Sequence, residues 1–300
     1  MLGEGRLTAG RPFADDLPPM ATLDVLLDGL AFPEGPRWHD GRLHFSDMHA
    51  AAVLAVDDAG RAETIVTVPN SPSGLGWLPD GRMLVVSMHD RRLLRLDAGG
   101  LAVVADLAGL ASFHCNDMVV DARGRAYVGN FGFDLHAEKP EFRKTNLVLV
   151  HPDGRAIEAA NDLAFPNGTV ITPDGRTLIV GESFGARLTA FDVADDGSLA
   201  NRRVFAKLEG AVPDGICLDA EGAVWVASPV SAEVLRVHEG GRVSRRIPVA
   251  TQAFACMLGG ADRRTLYVCT AATSQPDECR AKRTGRIETT RVDVPGAGLP

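Results

Sequence analysis

Six times along this chain an apolar run meets a tight polar turn, and a second apolar run follows. The copies begin at Glu34 (EGPRWHDGRLHFSD), Ser73 (SGLGWLPDGRMLVVS), Asn116 (NDMVVDARGRAYVGN), Asn167 (NGTVITPDGRTLIVGES), Asp214 (DGICLDAEGAVWVAS) and Ala255 (ACMLGGADRRTLYVCT). Their start-to-start spacings are 39, 43, 51, 47 and 41 residues. Five copies turn at Asp40-Gly41, Asp80-Gly81, Arg123-Gly124, Asp174-Gly175 or Glu221-Gly222, where Asp-Gly supplies the positive φ that tight hairpins need. The sixth has Asp262-Arg263 and must turn differently. A polar loop and a third strand follow, as in AVLAVDD (52–58) or RLTAFDV (187–193), then a more variable fourth, as in AETIVTV (62–68). Repeats of this length, each four short strands, predict an all-β fold: a six-bladed β-propeller with four antiparallel strands per blade.

The two ends of the chain fit together on this reading. The sixth repeat has a third strand near 286–294 and no fourth, while TLDVLLDGL (22–30) has no blade of its own. The N-terminal strand is therefore expected to close the last blade, which removes two bare edges. Residues 1–20 read as a flexible leader and 21–300 as a single propeller domain.

Antiparallel pairing decides which residues share a face. If the first strand of a hairpin starts at one end of the propeller, the second finishes there. Glu34, Asn116, Asn167 and Asp214 thus lie beside Asp47, His49, His89, Asn130, Asp134, Glu182, Ser183 and Ser228, with the Asp-Gly turns opposite. Glu34, Asn167 and Asp214 occupy one repeat-equivalent slot on separate blades. Two carboxylates and an amide oxygen make a hard site suited to Ca²⁺, Mg²⁺ or Mn²⁺ rather than to Zn²⁺ held by thiolate or imidazole. Three protein ligands would leave positions for water and substrate.

Composition narrows the partners. Net charge is −8, with no basic run beyond pairs such as Arg202-Arg203, so nucleic acid is not an expected partner. No apolar run approaches the ~20 residues of a membrane helix, and no membrane partner is expected. The five cysteines lack any C-x-x-C, and four sit in apolar strands, with Cys279 in a polar loop. Reduced, buried thiols in a cytoplasmic protein are the reading. Trp38, Trp77 and Trp225 read as core, and three Trp with two Tyr leave no expected aromatic platform. Two long polar insertions, 131–146 and 271–285, interrupt the repeats.

Four stretches carry a family resemblance: FPEGPRW (32–38) with LHFSD (43–47), NDMVVDARGRAYVGN (116–130), FPNGTVITPDGRTLIVGES (165–183) and PDGICLDAEGAVWVA (213–227). In this order and spacing they resemble the senescence-marker-protein, gluconolactonase and luciferin-regenerating-enzyme family of six-bladed propellers, over about residues 25–295. The resemblance implies a divalent metal on Glu34, Asn167 and Asp214, with Asn116 beside it contacting water or substrate and Asp214 as general base. It implies one divalent ion, Ca²⁺ ahead of Mg²⁺, Mn²⁺, Zn²⁺ or Fe²⁺, and hydrolysis of a small-molecule lactone by a monomer or small homo-oligomer. Sugar-lactone members carry an Arg two residues before the second Asn. This chain has His114 there, which puts an aldonolactone in question and offers a rival base near neutral pH. Asp134 is the nearest match to an acidic substrate contact. An aryl-ester or organophosphate hydrolase on the same scaffold, and a non-catalytic calcium-binding propeller, are the alternatives.

Overall fold

Every repeat folds as one four-stranded antiparallel sheet, and six such sheets surround a central channel. The computed structural model describes residues 23–298; the leader read at 1–20 lies outside them. Blade 1 runs Pro33–His39, Arg42–Asp47, Ala52–Val56 and Ala62–Thr67 from the channel outward, and blades 2 to 5 repeat that order. Blade 6 is made of Gln252–Gly259, Thr265–Ala271 and Gly285–Arg291, and its outermost strand is Asp24–Leu30 from the other end of the chain. That strand pairs antiparallel with Gly285–Arg291, from Asp24 opposite Thr289 to Leu30 opposite Gly285. The expected closure is the one observed.

The turns differ in detail from expectation. Only Asp40-Gly41 has both central residues at positive φ, 47° and 73°. At Asp80-Gly81 and Asp174-Gly175 glycine alone is positive, and the Asp side chain accepts the N–H two residues on, from Arg82 (3.1 Å) and Arg176 (3.0 Å). Blade 6 places Arg263 at φ 61° where the other repeats place glycine.

Apolar clusters fill the spaces between blades. Trp225, Tyr127 and Tyr267 are among the largest fully buried side chains, whereas Trp38 and Trp77 are half-buried, stacked on Tyr267 and His39. All five cysteines are buried free thiols, with the Cys217 and Cys256 sulfurs 3.9 Å apart. Cys279, expected in a polar loop, is buried under a helix α1 (Pro276–Lys282) that the 271–285 insertion forms. Proline at its first turn, Asp277 and Glu278 near its N-terminus and Lys282 at its end favour that helix. Among the described residues no helix is long and apolar enough to cross a membrane.

Closure makes a prediction. Deleting residues 1–30 strips the outer strand from blade 6 and bares the Gly285–Arg291 edge, so the melting temperature should fall by about 10 °C or more, with aggregation. An unchanged thermal transition in scanning calorimetry would mean that the ring does not depend on this strand.

Candidate functional site

The innermost strands do not run straight into the channel mouth. In blades 1 to 4 and 6 the pairing register jumps near the channel end, between Glu34 and Arg37, Pro72 and Leu75, Cys115 and Met118, Pro166 and Thr169, and Ala253 and Ala255. Such bulges re-aim side chains and are common beside functional sites. Glu34, Asn116, Asn167 and Asp214 all line one cavity of about 870 Å³ at that mouth. Counting back from the paired strands, with Ile216 opposite Val226 and Cys256 opposite Val268, gives the equivalent residues as Glu34, Ser73, Asn116, Asn167, Asp214 and Phe254. The sixth position is thus Phe254, one residue before the Ala255 expected from the sequence. Without a glycine at the turn, the repeat gives no anchor for that register.

The next layer inward closes the channel. A Cβ on Gly74 would lie 2.3 Å from the Met118 nitrogen, and one on Gly168 would lie 2.4 Å from the Ile216 nitrogen. Only glycine lets these strands approach so closely. Blade 3 has Asp117 at this level, and its carboxylate accepts from Arg37 Nη2 at 2.8 Å in a buried ion pair.

Charge at the mouth is unbalanced. Glu34 Oε2 accepts the Gly35 N–H at 3.0 Å. Burial, and then the negative charge of Asp214, push its pKa well above the usual carboxylate range. Burial likewise pushes Asp214 up, to about 8; the Asn167 amide beside it offsets part of this and Asp117 adds to it. Both carboxylates are half-buried and line the cavity, whose wall contains no Lys or Arg among the described residues. With Glu34, Asp214 and Asp117 ionised, Arg37 neutralises one charge and two remain. A divalent cation would supply that balance, and the all-oxygen donor set suits a hard one. Asn167 Nδ2 donates to Ser183 Oγ (3.3 Å), which donates to the Pro213 carbonyl (2.7 Å). That chain leaves Asn167 Oδ1 as its free ligand atom. Ser73 Oγ approaches Asn116 Oδ1 at 3.5 Å, leaving the Asn116 Nδ2 hydrogens for a ligand.

Other residues expected on this face serve the scaffold. Asp47 accepts the N–H groups of Ala31 (3.1 Å) and Phe32 (2.7 Å). Glu182 accepts from the Ala164 N–H (2.8 Å) and from Arg187 and Arg202. Asn130 bonds Thr145 and Asn146, and Ser228 Oγ accepts the Val212 N–H at 3.0 Å. Each ends the second strand of its blade and ties down a neighbouring segment.

His114 and Asp134 do not line the cavity. The His114 ring packs 4.1 Å from Phe113 and 4.5 Å from His89, and burial, with His89 adding, pushes its pKa down to about 4. Asp134 is exposed in the 131–146 insertion, where its side chain accepts the His136 N–H at 3.0 Å. That insertion does reach the cavity through Phe131, Leu135 and His136, and Ser274 of the second insertion reaches it too. His49 lines the wall, stacked 5.1 Å from Phe32.

What the sequence reading missed is the aromatic wall. Phe32, Phe131, Phe165, Phe184 and Phe254 line the cavity. Phe32 and Phe165 each stand two residues before a ligand candidate, in Phe-Pro-Glu and Phe-Pro-Asn. That spacing was the available signal; a count of Trp and Tyr passed over it.

Comparison with known proteins bears on the family and the fold. Residues 32–272 match the model of the SMP-30/Gluconolactonase/LRE-like region. A regucalcin of Danio rerio is 30% identical over 188 residues, 61% of this chain and 63% of that protein. The alignment thus spans less than two thirds of that relative. A solved gluconolactonase of Xanthomonas campestris superimposes with a TM-score of 0.73 and 25% identity, covering 94% of this chain and 96% of that one. A regucalcin of Agrobacterium tumefaciens, described as a calcium-binding protein, gives 0.78 at 23% identity over 94% and 97%, a likeness of fold. Six closed blades and a family match across most of the propeller place this chain in the SMP-30/gluconolactonase/LRE-like family.

Proposed function

We propose that this chain is a divalent-metal-dependent hydrolase that opens the ring of a small lactone. The observation that carries the reading is the convergence of Glu34, Asn167 and Asp214 on one cavity, where burial raises the pKa of both carboxylates. Glu34, Asn167 and Asp214 would hold the ion. When bound, it supplies Lewis-acid polarisation of the lactone carbonyl. Asn116 donates from Nδ2 toward the carbonyl oxygen as negative charge develops there. Asp214 takes the proton of the attacking water and returns it to the ring oxygen as the acyl C–O bond breaks, because it is a carboxylate that lines the cavity, whereas His114 does not line it. His114 packs the support of Phe131 and sets the shape of the substrate pocket with it. The cluster Phe32, Phe131, Phe165 and Phe254 limits bulk water at the reacting atoms. Five buried free thiols are consistent with work in the reducing cytoplasm.

Two predictions test this reading. Chelator-treated protein should lose hydrolysis of a lactone panel and regain it with Ca²⁺, Mg²⁺ or Mn²⁺ added singly. Asp214→Asn should lower kcat by about 100-fold or more in the metal-loaded enzyme, while His114→Ala keeps most of it. A loss in His114→Ala as deep as in Asp214→Asn would transfer the base role to the imidazole.

The second concerns stability without metal. Asp214 has a folded-state pKa near 8 against an ordinary 3.8. The unfolded chain therefore releases the proton first, and folding loses stability as pH rises from about 4 to about 8. In chelator, the melting temperature of the wild type should drop progressively below that of Asp214→Asn across this range, and a divalent ion should reverse the order. Parallel melting curves for the two proteins at pH 5 and pH 8 would mean that Asp214 is not under this constraint.

A further inference from the structure

The wall above the ligand candidates is built for apolar contact. Phe131 and Phe165 lie with centroids 4.8 Å apart, and Phe165 and Phe184 lie 5.3 Å apart. Phe184 in turn stacks on Phe142 at 5.3 Å and meets Phe133 edge-on at 5.5 Å. Across the cavity Phe32 meets Phe254 at 4.7 Å. Eight of the chain's twelve phenylalanines, counting Phe113, gather at this one mouth of the channel. The surface does not stop at the rim. Phe184 is 53% exposed and Val230 is 74% exposed, and both line the cavity opening. Exposed apolar surface that is continuous with a pocket marks a place where an apolar ligand is buried.

The polar inventory points the same way. Among the described residues no Lys or Arg lines the wall, and its polar side chains besides the ligand candidates are His49, His136, Ser183, Gln252 and Ser274, none of them a fixed cation for an anionic substituent. At the position two residues before Asn116, the His114 ring is turned back against Phe113 and His89. A polyhydroxylated ring would bury hydroxyls against Phe131, Phe165 and Phe184, which offer no partner, and an unmet hydroxyl is penalised.

We infer that the site takes an uncharged lactone bearing an alkyl or aryl substituent rather than a sugar lactone, with Phe165 and Phe184 seating that substituent. This rests on the hydrolase reading above. The carbonyl would face Asn116 and the carboxylates, and the substituent would extend along the aromatic wall toward Phe184 and Val230.

The test is a chain-length series with the metal-loaded protein: γ-butyrolactone, γ-hexalactone and γ-decanolactone beside glucono-δ-lactone. KM should fall about two- to fourfold per added methylene until the wall is covered, and kcat/KM for γ-decanolactone should exceed that for glucono-δ-lactone by about tenfold or more. Phe184→Ser should flatten the series by raising KM for γ-decanolactone with little change in kcat. Phe184 is exposed enough that the variant should stay folded, which circular dichroism checks. A flat series, or faster opening of glucono-δ-lactone, would overturn the inference while leaving the hydrolase reading intact. If no lactone is opened with any ion, the hydrolase reading fails, and binding of the unreactive 2-hexyltetrahydrofuran, read by calorimetry, decides the rest. Binding that weakens in Phe184→Ser supports the apolar seat; no binding overturns it as well.

Discussion

Two carboxylates that repel each other at the mouth of a closed ring set the terms for everything around them. Glu34 and Asp214 come from blades separated by most of the chain, and each is held where burial penalises its charge. The Gly35 N–H and Arg37 relieve Glu34, and the Asn167 amide relieves Asp214, only in part, and Arg37 is already paired with Asp117 at 2.8 Å. Such an arrangement is a standing cost to the folded protein, and a cation in the native state, as proposed above, would remove it.

The propeller is what makes this convergence possible. Six inner strands surround one channel, and the bulges near the ends of blades 1, 3 and 4 turn Glu34, Asn116 and Asn167 into the cavity that Asp214 of blade 5 also lines. Glycines at the next level, Gly74 and Gly168, allow the strands of neighbouring blades to approach closely. The N-terminal strand holds the circle shut at blade 6. A rigid frame of this kind fixes the spacing of Glu34, Asn167 and Asp214 without asking any loop to order on binding. The apolar wall then sits above a polar floor, and the boundary between them falls at Phe32, Phe165 and Phe254.

Much of this was legible before any coordinates. The repeated hairpin pointed to six blades, the orphan segment before Glu34 to closure, and strand polarity to the shared face of Glu34, Asn116, Asn167 and Asp214. Three things were not. The register of blade 6 slipped by one residue, from Ala255 to Phe254, because Arg263 occupies the left-handed position that glycine marks elsewhere. Asp47, Asn130, Glu182 and Ser228 share that face, and the sequence does not tell which of its side chains enter the cavity, because a residue that staples a loop has the same spacing as one that faces a cavity. Only the direction of their hydrogen bonds, to Phe32, Thr145, Arg187 and Val212, separates the two roles. The aromatic wall was dispersed over distant segments, and no local window contains more than a fragment of it. His114 shows a further limit: its position along the chain puts it beside the site, yet it does not line the cavity, and its ring packs against Phe113.

The most direct measurement is anomalous diffraction from crystals soaked in Mn²⁺. A single strong peak at the channel mouth, within about 2.5 Å of side-chain oxygens of Glu34, Asn167 and Asp214 and absent in Asp214→Asn crystals, is the expected result. A peak elsewhere, or none at these three residues under saturating ion, would contradict the claim that the inward carboxylates exist to hold a cation.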